Sequence, residues 1–251
     1  MVTETDGIIL RQTRLPGDRR MLVLLTRRFG KISAGTSIRT NGKTRSALAL
    51  RVFTHGKYEI YHGRESYSIN SAETADSYFR IGEDVDKYMY ASYALEFTEK
   101  ILPEGEPAEP VLDLLLEFLQ LLEGRKSKLK SLVVMYQWKL VDLCGYMPSL
   151  RGCARCGKTD ISHEAAGISV VDGGLICRPC AQSGRVNLRL LYEIRFDIIR
   201  TLEYIRGTDL RSLGRLALKD EVLSYLSELL KEYVSYHLDI NKLKSELYLN
   251  D

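Results

Sequence analysis

The opening of the chain carries strand signals. Gly7-Ile-Ile-Leu-Arg-Gln-Thr13 and Arg19-Arg-Met-Leu-Val-Leu-Leu-Thr26 are apolar runs of strand length, separated by Pro16-Gly17-Asp18, a turn signal. Gly30 breaks the chain again before Lys31-Ile-Ser-Ala-Gly-Thr-Ser-Ile38. Tyr58 and Ile60 then alternate with Lys57 and Glu59, the period-two pattern of a half-buried strand, and His62-Gly63-Arg64 reads as a hairpin turn into Glu65-Ser-Tyr-Ser-Ile69. A longer basic connection, Arg39 to Arg51, separates the third run from the fourth. Five short strands in roughly 75 residues predict a small closed barrel, for which the OB-fold is the common nucleic-acid-binding form.

From about residue 76 the apolar period becomes helical. Tyr88, Ala91, Leu95, Thr98 and Leu102 recur at three- and four-residue steps until Pro103 and Gly105. Pro107 and Pro110 precede a second segment, Val111 to Leu122, which ends at Gly124. Leu129, Leu132, Val133, Tyr136, Leu140 and Leu143 form a third stripe, closed by Gly145 as a left-handed C-cap. Leu188, Leu191, Ile194, Ile198, Leu202 and Ile205 predict a further helix ending at Gly207, and a last long one spans about Lys219 to Leu238. These stripes describe a helical core and carry no chemistry.

Between the third and fourth stripes lies Cys153-Ala-Arg-Cys156, then Cys177-Arg-Pro-Cys180. Two residues between paired cysteines let both thiolates reach one ion from a tight knuckle, and the intervening stretch is long enough for a hairpin to return the second pair. Gly157 suits the positive φ such a knuckle needs, and Gly173-Gly174 supplies the returning turn. The pattern predicts one structural Zn2+ held by Cys153, Cys156, Cys177 and Cys180; an iron–sulfur centre uses the same ligands, and spacing alone does not separate the two. A four-thiolate site has no open position for a water nucleophile. Cys144 falls on the preceding apolar stripe and reads as a small buried hydrophobe, and His163 is surplus to the four ligands.

The expected fold class is therefore α+β and multidomain. An N-terminal five-stranded OB-fold β-barrel occupies residues 1–76, and an all-α helical domain is built from residues 77–149 and 184–251. A zinc-ribbon-like module with four cysteine ligands is inserted at residues 150–183.

Composition sharpens this through its distribution. The 251 residues carry a formal net charge of only +3, with 45% hydrophobic and 27% charged residues, which excludes disordered and low-complexity classes. Residues 1–80, however, hold 14 basic against 7 acidic residues, whereas residues 81–150 hold 7 against 12. The basic block also favours Arg, whose planar fork grips a phosphate with two hydrogen bonds. Arg11, Arg14, Arg19, Arg20, Arg27, Arg28, Lys31 and Arg39 are the candidate phosphate contacts, a solvated basic face without a specific partner being the competing reading. Phe29, Tyr58, Tyr61 and Tyr67 are available for stacking.

Other chemistry is not legible. Thr40-Asn-Gly-Lys-Thr44 has the tail of a phosphate-binding loop, but Ser37 stands where the upstream glycine is required. His55, His62, His163 and His237 are scattered, and no nucleophile–base or metalloprotease motif is found, so the chain is read as no enzyme. Met1 to Gly7 has no basic or apolar leader and no apolar run reaches membrane-spanning length, so a cytoplasmic, reducing location is expected.

Taken together, Gly7-Ile-Ile-Leu10 leading into Asp18–Thr26, Phe29-Gly-Lys-Ile-Ser-Ala34, Trp138-Lys-Leu-Val-Asp-Leu-Cys-Gly-Tyr-Met-Pro148 and Gly173-Gly-Leu-Ile-Cys177 resemble the bacterial DNA repair and recombination mediator family RecO. The resemblance runs in order along nearly the whole chain; the Arg39–Arg51 loop departs from it in being polar and poor in lysine. It implies a nucleoid-associated protein that binds single- and double-stranded DNA and anneals complementary strands. It also implies binding, through the helical domain, to the acidic C-terminal tail of single-stranded DNA-binding protein (SSB). With a partner, RecR, such proteins help load RecA onto coated single strands. A protein-interaction scaffold and an RNA-binding OB protein without annealing activity are the alternatives.

Overall fold

Alternating burial along the first strands closes them into a barrel. The computed structural model describes residues 1–16, 19–38, 45–64, 66–159, 161, 163–216 and 218–248. They divide into two compact units, Met1–Leu129 with Leu243–Asp251, and Lys130–Lys242.

In the first unit, β1 (Val2–Arg14), β2 (Arg20–Thr26), β3 (Gly30–Thr36), a short helix α1 (Arg45–Ala49), β4 (Thr54–His62) and β5 (Tyr67–Ser77) follow one another. The strands close in the order β1-β2-β3-β5-β4, with β1 antiparallel to both β2 and β4 and the seam made by parallel pairing of β3 with β5. That order, with a helix between the third and fourth strands, is the five-stranded OB-fold barrel. Gly17 and Asp18 of the expected first turn lie outside the described residues, but Leu15 N–H donates to the Arg19 carbonyl at 2.9 Å across it. β5 runs eight residues beyond the expected end at Ile69, because β4 continues to pair with it as far as Thr54↔Ser77.

Inward positions fill the barrel with Ile9, Leu22, Leu24, Ile32, Ala34, Leu50, Tyr58, Ile60 and Ile69, all buried. Each large aliphatic among them contributes about 1.5–3 kcal/mol by leaving water. Tyr58 is fully buried and its hydroxyl donates to the Ala49 carbonyl at 2.8 Å, so the phenol satisfies its one polar atom inside the core.

A one-turn 3-10 helix (Phe79–Glu83) leads into α2 (Val85–Ile101), capped by Asp84, whose carboxylate accepts from Lys87 N–H at 3.1 Å. α3 (Glu109–Gly124) starts with Pro110 in its first turn and buries Val111, Leu112, Leu115, Phe118, Leu119 and Leu122. The segment between them docks on the start of β3: Gly105 N–H donates to the Lys31 carbonyl at 2.9 Å. The chain returns to this unit at Leu243. There a short 3-10 helix (Lys244–Tyr248) is capped by Glu96 of α2, whose carboxylate accepts from Lys244 N–H, Ser245 N–H and Ser245 Oγ–H at 3.0, 2.8 and 2.6 Å. Partial burial opposes ionisation of Glu96, but these bonds from Ser245 and Lys244 outweigh it and hold the carboxyl below its ordinary value.

The second unit begins at Lys130, the second residue of α4 (Leu129–Leu143), a helix buried over most of its length; Trp138 is fully buried and donates its indole N–H to the Leu226 carbonyl at 3.3 Å. Gly145 takes φ +78°, as the C-cap expectation requires. β6 (Ala165–Ser169), β7 (Gly174–Cys177), a short helix α5 (Arg178–Gln182) and β8 (Leu191–Glu193) follow, with the strands ordered β7-β6-β8. α6 (Ile198–Gly207), α7 (Leu210–Gly214) and α8 (Asp220–Leu238) complete it, and no helix among the described residues is long and apolar enough to cross a membrane.

One expectation is corrected here. The stripe from Leu188 to Ile205 is not one helix: Leu188–Leu190 is a 3-10 turn, Leu191–Glu193 is a strand, and helix begins only at Ile198. β7 covers one edge of β6 and leaves the other needing partners; residues 191–193 supply them, with Val170 N–H also donating to the Leu190 carbonyl. Phe196 and Asp197, both at φ +54°, then break the chain before α6.

Gly30 gives the sharpest test of the barrel. It sits at φ +61°, and a Cβ there would lie 1.7 Å from the Glu106 carbonyl oxygen. Gly30→Ala must therefore displace the docked 104–106 segment, and urea unfolding is expected to show a loss of about 3 kcal/mol; a midpoint within error of the parent would contradict this packing.

Candidate functional site

Seven of the eight candidate phosphate contacts lie among the described residues; Arg39 and the Thr40–Thr44 segment do not. The structure sorts the seven into two groups. Arg11 grips both oxygens of Glu99 at 2.9 and 3.1 Å, and Lys31 donates to the Glu99 backbone carbonyl at 2.7 Å. Partial burial leaves the Lys31 ammonium with a pKa below its usual value despite nearby Glu104 and Glu99.

Arg27 is still more fully engaged. Its Nε faces Asp6 at 3.1 Å, Nη1 reaches Glu109 at 2.6 Å and Nη2 reaches Asp113 at 2.8 Å. These bonds, from Asp113 and Asp6 first, raise its pKa further. Burial opposes ionisation of Asp6, yet hydrogen bonds from Arg27 and His55 outweigh it and hold its carboxyl below the ordinary value. The charges of Arg11, Arg27 and Lys31 are thus satisfied within the unit, where they bind the barrel to α2 and α3.

Arg14, Arg19 and Arg28 are exposed and Arg20 is half-buried. Arg14 and Arg20 stand directly opposite one another at the end of the β1–β2 ladder. Arg19 and Arg20 line a groove of about 520 Å³ with Met21, Thr36, Ser37, Ser68 and Asn70, at the loop joining β1 to β2 and across the β3–β5 seam. Two arginines, three hydroxyl residues and an asparagine line one concave surface, residue types suited to phosphate oxygens.

The aromatic candidates separate as cleanly. Tyr58 is core and reaches no ligand, whereas Tyr61 is 46% exposed. Phe29 and Tyr67 are half-buried at the end of the barrel, their ring centroids 5.6 Å apart. His62, which no sequence pattern distinguished from the other histidines, is exposed and stacks on Tyr67 at 4.4 Å with 12° between the planes. Strand periodicity offered the one usable signal, since His62 lies two residues beyond inward-facing Ile60.

The four cysteines of the insert come together, with all four sulfurs within 4.8 Å of one another. Cys156 and Cys177 sulfurs are 3.8 Å apart, the separation of about 3.8 Å that two vertices of a tetrahedron with 2.3 Å metal–sulfur bonds require. Gly157 takes φ +72° after the first knuckle and donates its N–H to the Cys153 carbonyl at 2.9 Å. Burial opposes ionisation of Cys153, but N–H groups of Cys156, Cys177 and Arg155 aimed at its sulfur outweigh this and bring its thiol to about 6. The arrangement can hold a metal ion. Cys144 is outside it, half-buried, with a thiol that burial pushes up to about 11.

Replacing Arg27 with Ala should lower stability by about 1–2 kcal/mol at pH 7, measured by urea unfolding. Because the folded-state carboxyl of Asp6 lies below its unfolded value, its pairing stabilises fully above that unfolded value and is lost as pH falls through the folded one. The gap between parent and variant should accordingly narrow below about pH 4; a gap independent of pH would exclude the ion pair as its source.

Comparison with known proteins places the chain. The family described as recombination protein O N terminal matches residues 1–78, and recombination protein O C terminal matches residues 82–247. The DNA repair protein RecO of Alkaliphilus metalliredigens is 27% identical over 239 residues, 95% of this chain and 95% of the relative. The protein of the same name from Symbiobacterium thermophilum is 27% identical over 246 residues, 98% of this chain and 95% of that one. With both halves of the family matched in order over a barrel, a helical body and a paired-cysteine insert, the chain belongs to the RecO family.

Proposed function

We infer that the protein is a DNA repair and recombination mediator that binds single- and double-stranded DNA and anneals complementary strands. With RecR it helps load RecA onto single strands coated by SSB, and it works in the cytoplasm at the nucleoid. The observation that carries this reading is the groove lined by Arg19 and Arg20 on an OB barrel of this family. Annealing requires the mutual repulsion of two phosphate backbones to be screened, which clustered guanidinium groups do by displacing counterions. It requires no nucleotide hydrolysis, and the protein acts without catalysis.

Within the division into a barrel (1–76), a helical domain (77–149 and 184–251) and an insert (150–183), the barrel is the DNA-contacting part. Arg14, Arg19, Arg20 and Arg28 are its phosphate contacts among the described residues, while Arg11, Arg27 and Lys31 hold the platform in shape. The helical domain is the part that takes the acidic tail of SSB. Double replacement of Arg19 and Arg20 by Glu should weaken single-strand binding at least tenfold and reduce the slope of log K against log salt by about 2, read by fluorescence anisotropy over a salt series. Unchanged affinity and slope would remove the groove from the DNA path.

The ion held by Cys153, Cys156, Cys177 and Cys180 is Zn2+, in a structural role. An all-thiolate set of tetrahedral separation, with N–H groups directed at Cys153 sulfur, supports this assignment. The ion would tie the two knuckles together as the insert folds. Elemental analysis should find one zinc per chain, and Cys153→Ser with Cys177→Ser should lose it together with resistance of the insert to proteolysis; iron in place of zinc, or no metal, would overturn the assignment.

A further inference from the structure

We propose that His62 is a stacking platform for an unpaired base of single-stranded DNA, at the end of the barrel. The proposal rests on the DNA reading of the barrel and adds to it a contact with bases, where the arginine groove supplies contacts with phosphates.

The placement follows from strand geometry. Along β4 the inward positions are Thr54, Gly56, Tyr58, Ile60 and His62; the first four are buried and His62 is exposed, because the strand has run past the end of the core. The chain turns immediately after it, with Gly63 N–H donating to the Ser66 carbonyl at 2.9 Å, and His62 pairs across the ladder with Tyr67 of β5. Cross-strand partners share a face, so the two rings meet: centroids 4.4 Å apart, planes 12° from parallel. Phe29, from the β2–β3 turn, braces both, at 5.6 Å from Tyr67 and 6.3 Å from His62 with its plane steeply inclined.

The result is a short aromatic stack whose inner members are half-buried and whose outermost ring lies at the surface. Tyr67 stacks on one face of His62, Phe29 meets the ring edge-on, and the residue is exposed. A nucleobase laid on the face away from Tyr67 would continue the stack.

Two further features favour a base in single-stranded DNA. Arg28 and Arg64 flank the triad in sequence and are exposed, providing charge for the neighbouring phosphates. Tyr67 is followed on β5 by Ser68, Ile69 and Asn70, which line the arginine groove, so base platform and groove are neighbours on one strand. A paired base keeps its faces inside the duplex, so the platform discriminates for single strands.

The test uses the full-length protein and a single-stranded oligonucleotide carrying 2-aminopurine, whose fluorescence falls when it stacks. The parent protein should quench the probe at one or more positions along the strand. His62→Ala should abolish that quenching and weaken single-strand binding by about five- to a hundredfold. Duplex affinity, the salt slope and the urea midpoint should stay unchanged. His62→Phe should restore quenching. Undiminished quenching in His62→Ala, or its loss in His62→Phe as well, would overturn the platform. A fall in the urea midpoint matching the loss of binding would also overturn it, by making the ring a plug of the barrel. Failure of the parent to bind single strands at any salt would instead bring down the DNA reading on which the proposal stands.

Discussion

The parallel pairing of β3 with β5 is the constraint from which the first unit follows. Without it, five strands form an open sheet with two unpaired edges; with it, every strand has two neighbours and the sheet has an inside too small for anything but side chains. Closure then assigns every residue a role by parity. Tyr58 and Ile60 become core, Lys57 and Tyr61 become surface, and any ligand must bind on the outer wall or at the ends. Both candidate DNA contacts described above are at such places, the groove across the seam itself and the stack where β4 outruns the core.

Electrostatics shows a comparable division of labour. Arg27 and Arg28 are neighbours in sequence, and both belong to the same basic block. One is wrapped by Asp6, Glu109 and Asp113, and the other stands in solvent. Both lie in the turn between β2 and β3, and the start of α3 brings its carboxylates to Arg27 only. The +7 of the first 80 residues therefore overstates the charge available to a partner, since part of it neutralises acidic residues that lie later in the chain.

What was legible in sequence was whatever depends on neighbours. Strand alternation, the Gly145 cap and the two cysteine knuckles are set within a few residues, and each is found where local rules place it. What was not legible depends on distant partners. Leu191–Glu193 has the apolar spacing of a helix, and becomes a strand only because β6 has an edge to fill. Arg27 meets Asp113 across 86 residues, and no local pattern distinguishes it from Arg28. Histidine at position 62 carried no motif, and its significance comes from Tyr67 and Phe29, which the barrel brings to it.

The Glu96 cap has a consequence for synthesis. Its carboxylate lies in the first unit, but the groups that satisfy it, the N–H of Lys244 and the N–H and hydroxyl of Ser245, are made almost 150 residues later, 149 in the case of Ser245. A chain emerging from the ribosome can close its barrel and lay down α2 long before this, and yet Glu96 stays without these partners until the segment around Ser245 is released. The second unit is thus made in the interval between two segments of the first, and the first unit is held by its full set of contacts only once the segment around Ser245 has been made.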